Sequence, residues 1–77
     1  MDSQEINKAI KDALEYHHNG EYKKADLIYL EVLSNNPKNF EANHLHGCIL
    51  SKNKNYDDAL TYFEKAHKID SENYELN

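Results

Sequence analysis

The strongest constraint in this sequence is that it repeats itself at an interval of 34 residues. At that offset Tyr22 falls on Tyr56, Ala25 on Ala59, Tyr29 on Phe63 and Ala13 on Gly47. Asn39 likewise falls on Asn73, Phe40 on Tyr74, Glu41 on Glu75 and Asn43 on Asn77. Each match keeps identity, or at least size and polarity, where packing requires it. A period of this length indicates a stack of helical hairpins rather than propeller blades or a β-helix.

The local pattern agrees. Ile6, Ala9, Ile10, Ala13 and Leu14 recur at helical spacing, which predicts a first helix from about Ser3 to His18 ended by a left-handed Gly20. A second helix carries Tyr22, Ala25, Ile28, Tyr29, Val32 and Leu33 on one face. It stops at Ser34-Asn35-Asn36-Pro37, because proline disfavours helix in the residue before it. Asn39 is a fair N-cap for a third helix over about 40–52, with Glu41 favourably placed in its first turn. Asn55 caps a fourth, whose face is Tyr56, Ala59, Leu60, Phe63, Ala66 and Ile69. The segment from Asp70 to Asn77 reads as the lead-in to a further helix.

The runs Gly20-x-Tyr22-x-x-Ala25-x-x-x-Tyr29 with Pro37, and Gly47…Tyr56-x-x-Ala59-x-x-x-Phe63-x-x-Ala66, resemble tetratricopeptide repeats. The likeness spans residues 6–73. It implies an all-α fold of TPR-type helical hairpins, a fragment of an α-α solenoid wound as a right-handed superhelix. One domain over 1–77 would hold repeat 1 at about 6–39, repeat 2 at about 40–73 and the stub of a third at 74–77. Small residues at Ala13 with Ala25, and Gly47 with Ala59, let paired helices approach, and Tyr29 and Phe63 fill the space behind them. The pattern also departs from the family. Val32 stands where a small residue is usual, and Lys54 stands where Gly20 stood one repeat earlier. A lysine held left-handed costs about 1 kcal/mol, so a differently shaped second turn is expected. Asp12 and His46 occupy positions usually filled by leucine, and Ala9 and Asn43 replace a large aromatic. The core should therefore be lean, and a domain this small has roughly 3–5 kcal/mol to spare.

Composition bounds the function. A formal net charge of −5 and the absence of arginine disfavour nucleic acid, whose phosphates are neutralised by Lys and Arg. No apolar run approaches the roughly 18 residues of a membrane span, so no membrane partner is expected. The N-terminus shows neither the basic nor the apolar region of a secretory signal. A single cysteine, Cys48, fits a reducing, cytoplasmic setting. Chemistry is sparse. His44 and Cys48 lie four apart and would offer two zinc ligands, with His17 and His18 as neighbours by the repeat. A structural site needs four ligands and a catalytic one three, so these read as ordinary polar residues. Cys48 lacks a base and an orienting partner in the sequence. The only two glycines are 27 positions apart and form no phosphate loop. No catalytic residue, metal or cofactor is expected, and the chain reads as no enzyme in its own right.

What the resemblance implies is a protein-binding scaffold that takes a peptide or helix in a concave groove. The groove positions are Asn7, Ile10, Leu14 and His17 from the first repeat, with Glu41, His44, Cys48 and Ser51 from the second. A carboxylate clamp for chaperone tails is not expected, because Ile10, Leu14, Leu45 and Glu75 occupy its places. Nor is the asparagine ladder of sugar-transferase superhelices, whose places hold Lys11 and Leu45. A second expectation is self-association through Leu60, Tyr62, Phe63 and Ala66, left uncovered at the end of the stack. A third follows from residues 41–60, which are similar to the repeat leaders of bacterial glycosyl-, sulfo- and methyltransferases. That likeness implies a substrate-recruiting arm of a larger transferase. The third repeat begun at 74–77 leads to the separate expectation that the chain is the N-terminal part of a longer protein.

Overall fold

Helix ends in this chain are set by short local signals. The computed structural model describes the backbone of residues 1–76 and the side chains of residues 1–71. Helix α1 (Ser3–His18) starts with a capping box. The Glu5 amide donates to the Asp2 carboxylate at 2.8 Å, and Glu5 reaches back to the Asp2 amide. Helix α2 (Tyr22–Asn35) has no side-chain cap, and its first helical bond runs from the Ala25 amide to Glu21 O. Helix α3 (Phe40–Lys52) opens on Asn39, whose side chain accepts from the Ala42 amide at 2.8 Å. Helix α4 (Tyr56–Leu76) starts from Asn55, whose carbonyl accepts the first helical bond from Ala59. Each helix packs on the next in sequence, giving two hairpins, α1–α2 and α3–α4, joined across α2 and α3.

The two hairpin turns have the same shape, contrary to the expectation for Lys54. After α1, the Gly20 amide bonds to His17 O and the Glu21 amide to Tyr16 O. After α3, the Lys54 amide bonds to Ser51 O and the Asn55 amide to Leu50 O. Both are paired 5→2 and 6→1 closures of a helix end, which require a left-handed residue at the same point. Gly20 has φ 80° and Lys54 has φ 66°. The packing of α4 on α3 therefore imposes the turn, and Lys54 bears the strain instead of avoiding it. Lys54→Gly should stabilise the fold by about 1 kcal/mol. Thermal denaturation should register a rise of roughly 4–8 °C for a domain of this size, and an unchanged or lower melting point would refute the strain.

The last segment also differs from its sequence reading. No turn forms at 70–73, and α4 continues unbroken to Leu76. The offset of 34 places Ser71 where Pro37 stood. Pro37 forbids helix in the residue before it and stops α2, whereas serine imposes no such stop. Asn77 and the side chains of Asn73, Tyr74 and Glu75 lie outside the described residues.

One cluster joins Ile6, Ile10 and Ala13 of α1, Ala25, Tyr29 and Val32 of α2, and Ala42 and Ile49 of α3. Ala59 and Ala66 of α4 are buried against α3. Where Gly47 faces α4, an added Cβ would lie 2.9 Å from the Phe63 ring, so only glycine admits this approach. The two departures on α3 are both satisfied. Buried Asn43 donates to Pro37 O at 3.0 Å and Asn39 O at 2.9 Å, tying the α2–α3 turn to α3. Buried His46 donates from Nδ1 to the Asp26 carboxylate of α2, and its ring meets the Tyr62 ring of α4 edge-on at 4.5 Å. Among the described residues no buried side-chain polar atom lacks a partner. Polar groups thus take over part of the fastening that leucine would otherwise supply.

Candidate partner-binding surfaces

Three helices bring an aromatic and basic group together where α1 ends. His17 Nδ1 lies 3.3 Å from the Tyr29 hydroxyl, and the His17 ring meets Tyr22 edge-on at 5.4 Å. The Lys52 ammonium of α3 sits 5.3 Å above the Tyr22 ring. Burial, with the nearby charges of Lys52 and His18, holds the His17 imidazole below its ordinary value, so it is mostly neutral at pH 7. Burial pushes the Tyr29 phenol up to about 12, helped by Cys48, which is ionised at the high pH where the phenol titrates, and by Asp26 and Glu41. Burial raises the Cys48 thiol as well, and Lys52 opposes this only in part. A thiol that keeps its proton is a poor nucleophile.

The predicted groove residues fall into three groups. Asn7, Glu41 and His44 are exposed, and Leu14, His17, Cys48 and Ser51 are half-buried. Ile10 is 4% exposed and belongs to the core, so it offers no surface to a partner. Helical spacing places Ile10 on the inner side of α1, where it packs with Ile6 and Ala13. Among the described residues, no three His, Cys, Asp or Glu side chains gather where they would share a metal ion.

The face predicted for self-association is also divided. Leu60 is 56% exposed, but Tyr62 packs on His46 and Phe63 on Gly47 and His44. Ala66 is 2% exposed and is spent on the contact with α3. The open surface lies to one side of the predicted one, and the 34-residue offset identifies it. In the first hairpin, Ile6, Ile10, Tyr22, Asp26 and Tyr29 are buried or half-buried, and Ile6, Ile10 and Tyr29 share one cluster with Ala42 and Ile49 of α3. Their counterparts are Phe40, His44, Tyr56, Leu60 and Phe63. Of these Phe40 and His44 are exposed with their rings stacked 5.9 Å apart, and Tyr56 is 62% exposed. Phe40 and Tyr56 were not singled out from sequence as binding residues. The repeat itself carried the signal, since a position covered in one unit is uncovered in the next.

Two tetratricopeptide repeat profiles match the sequence, one over residues 13–39 and one over residues 41–73. The chain belongs to the tetratricopeptide repeat family. The boundary between the two matches falls at the Asn39 cap, where α3 begins. The first match begins at Ala13, just past Ala9 and Asp12, the two α1 positions that depart from the family pattern. Tetratricopeptide repeats are generally protein–protein interaction modules, and this chain carries two of them. None of its described helices is long and apolar enough to cross a membrane. The curated proteins and the solved structures compared with the chain gave no match.

Proposed function

We propose that this chain is a non-catalytic docking module that receives one amphipathic helix of a protein partner on the open face of its second hairpin. The observation that carries this reading is the exchange of Asp26 for Leu60 between faces matched by the repeat. α2 receives α3 through a carboxylate that bonds to His46. The corresponding seat on α4 is apolar and 56% exposed. A helix that fits it carries an aliphatic residue where α3 carries His46. A second copy entering head to tail through α1 fits poorly. The α1 residues matching Ala42, His46 and Ile49 are Lys8, Asp12 and Glu15, all exposed, and an acid buried beside Leu60 has no partner. The raised thiol of Cys48 supports the non-catalytic half of the reading.

The test is a charge swap. Two synthetic peptides spanning α3 and its cap, one native and one carrying His46→Leu, are titrated against the intact chain by fluorescence anisotropy. The His46→Leu peptide should bind more tightly to the parent chain, and Leu60→Asp should reverse the preference. Equal binding of both peptides by both proteins sinks the proposal. Light scattering over a concentration series addresses the second copy: a dimer dissolved by Leu60→Asp replaces the partner helix with the chain itself.

A peptide laid along Leu14, His17, Cys48 and Ser51 is the second reading, favoured by half-buried His17 and Tyr22 with the exposed Lys52 ammonium above the Tyr22 ring. The likeness of residues 41–60 to transferase leaders supports a recruiting arm placed before a catalytic domain, and a cytoplasmic setting accords with the lone cysteine.

A further inference from the structure

Away from the α1–α3 side, two adjoining hollows lie between the end of α2 and α4. The first, of about 190 Å³, is lined by Leu30, Leu33, Pro37, Asn43, Tyr62 and Lys65. The second, of about 260 Å³, is lined by Pro37, Lys38, Lys65, Lys68 and Ile69. They share Pro37 and Lys65 and form one cleft. We propose that this cleft docks an acidic segment of a protein partner whose carboxylates flank an aliphatic anchor. The proposal rests on the reading of the chain as a protein-binding module, but it uses residues remote from Leu60.

The charge pattern favours that occupant. The chain is acidic overall, with a formal net charge of −5 and nine cationic side chains. Three of those nine, Lys38, Lys65 and Lys68, line the second hollow, and no acidic residue among those described lines either one. The concentration is structural. Lys65, Lys68 and Ile69 follow the i, i+3, i+4 spacing and share one face of α4. Lys38 arrives from the opposite wall, on a turn that buried Asn43 holds through its bond to Pro37 O. The Lys65 ammonium lies 4.8 Å over the Tyr62 ring, which orients it without a carboxylate. Part of the cost of ordering Lys65 is therefore met before binding.

The floor decides between anions. A bare phosphate has no use for the apolar surface of Leu30, Leu33 and Ile69, of which Leu30 is 42% exposed. A nucleic acid runs past the cleft onto the net-negative surface, which a short acidic segment anchored in the cleft does not reach. Lysine ammoniums act as point charges that serve carboxylate and phosphate alike, so the apolar floor and not the rim makes the choice. A short acidic peptide with a buried leucine satisfies both the rim and the floor.

The probe is a fluorescent peptide of glutamates around a central Leu-Leu pair, titrated against the intact chain and followed by anisotropy and amide chemical shifts. Binding should weaken as salt rises, and the shifts should centre on Lys38, Tyr62, Lys65 and Ile69. Lys65→Ala should weaken binding by about threefold, and Lys65→Glu with Lys68→Glu by about tenfold or more, at the scale of exposed charge pairs. These side chains are exposed, and an unchanged melting point certifies each variant as folded. Undiminished binding by the double variant overturns the proposal. So does equal binding of a peptide with Gly-Gly in place of Leu-Leu, which would reveal charge attraction without a cleft. If inorganic phosphate or a single-stranded oligonucleotide binds with the same lysine dependence and the peptide does not, the site belongs to phosphate. Because the lysines stand apart from Leu60, loss of helix docking and loss of acidic-peptide binding are separate results.

Discussion

Tyr29→Ala is expected to leave the chain largely unfolded at room temperature. Tyr29 is the largest fully buried side chain among the described residues, and it lies at the centre of the cluster shared by α1, α2 and α3. Truncating a buried aromatic costs about 3–5 kcal/mol, and a domain of this size holds roughly 3–5 kcal/mol in total. The two figures overlap, so one substitution removes most or all of the margin. Tyr29→Phe supplies the contrast. It keeps the ring and gives up only the 3.3 Å contact between the hydroxyl and His17, worth about 0.5–1.5 kcal/mol. Far-UV circular dichroism separates the cases: loss of helix in the alanine variant, retention with a lower melting point in the phenylalanine variant. A fully helical Tyr29→Ala protein with the parent's melting point would remove Tyr29 from the centre of the fold.

Ala59→Leu should be the next most damaging change, at about 1–3 kcal/mol. Ala59 is 2% exposed, and its carbonyl lies 3.4 Å from where a Gly47 Cβ would sit. The Phe63 ring closes the same contact from the other side. α3 and α4 touch there with no space for added carbons, so a leucine must push the hairpin apart. Its melting point should fall by roughly 4–8 °C for each kcal/mol lost. A leucine at nearby exposed Thr61 controls for added hydrophobicity alone. Equal melting points for the two leucine variants would mean that Ala59 is not at the close contact.

Much of this architecture was legible because it depends on local chemistry. Asn39 and Pro37 act within a few residues of themselves, so the start of α3 and the end of α2 fall where the sequence placed them. The apolar spacing of Ile6 to Leu14 placed α1 without the Asp2 cap being read. Gly47 and Ala59 were readable because the repeat displays each small residue twice. What was not legible depends on neighbours distant in sequence. Lys54 looked too strained for a left-handed turn, yet the packing of α4 on α3 overrides that local preference. His46 looked like a weak core residue until Asp26, twenty positions earlier, supplied its acceptor. The groove list included Ile10 because its repeat position was read without its burial. Ile10 packs inward, while His44 at the same position one unit later is exposed. The lysine cleft was missed for a related reason. Lys38 belongs to one repeat and Lys65 to the next, and a pattern that compares repeats position by position does not reveal what lies across the seam between them.

The bond between Asp26 and His46 also gives the two units fixed places in the chain. A tandem of two second units would set Leu60 under His46 and bury an imidazole without its carboxylate. A tandem of two first units would set Asp26 under Asp12 and force two acids together. The repeats share a fold but not a fastening, so only the order found in the chain joins them. Anyone extending or splicing this array by engineering must match the junctions as well as the helices.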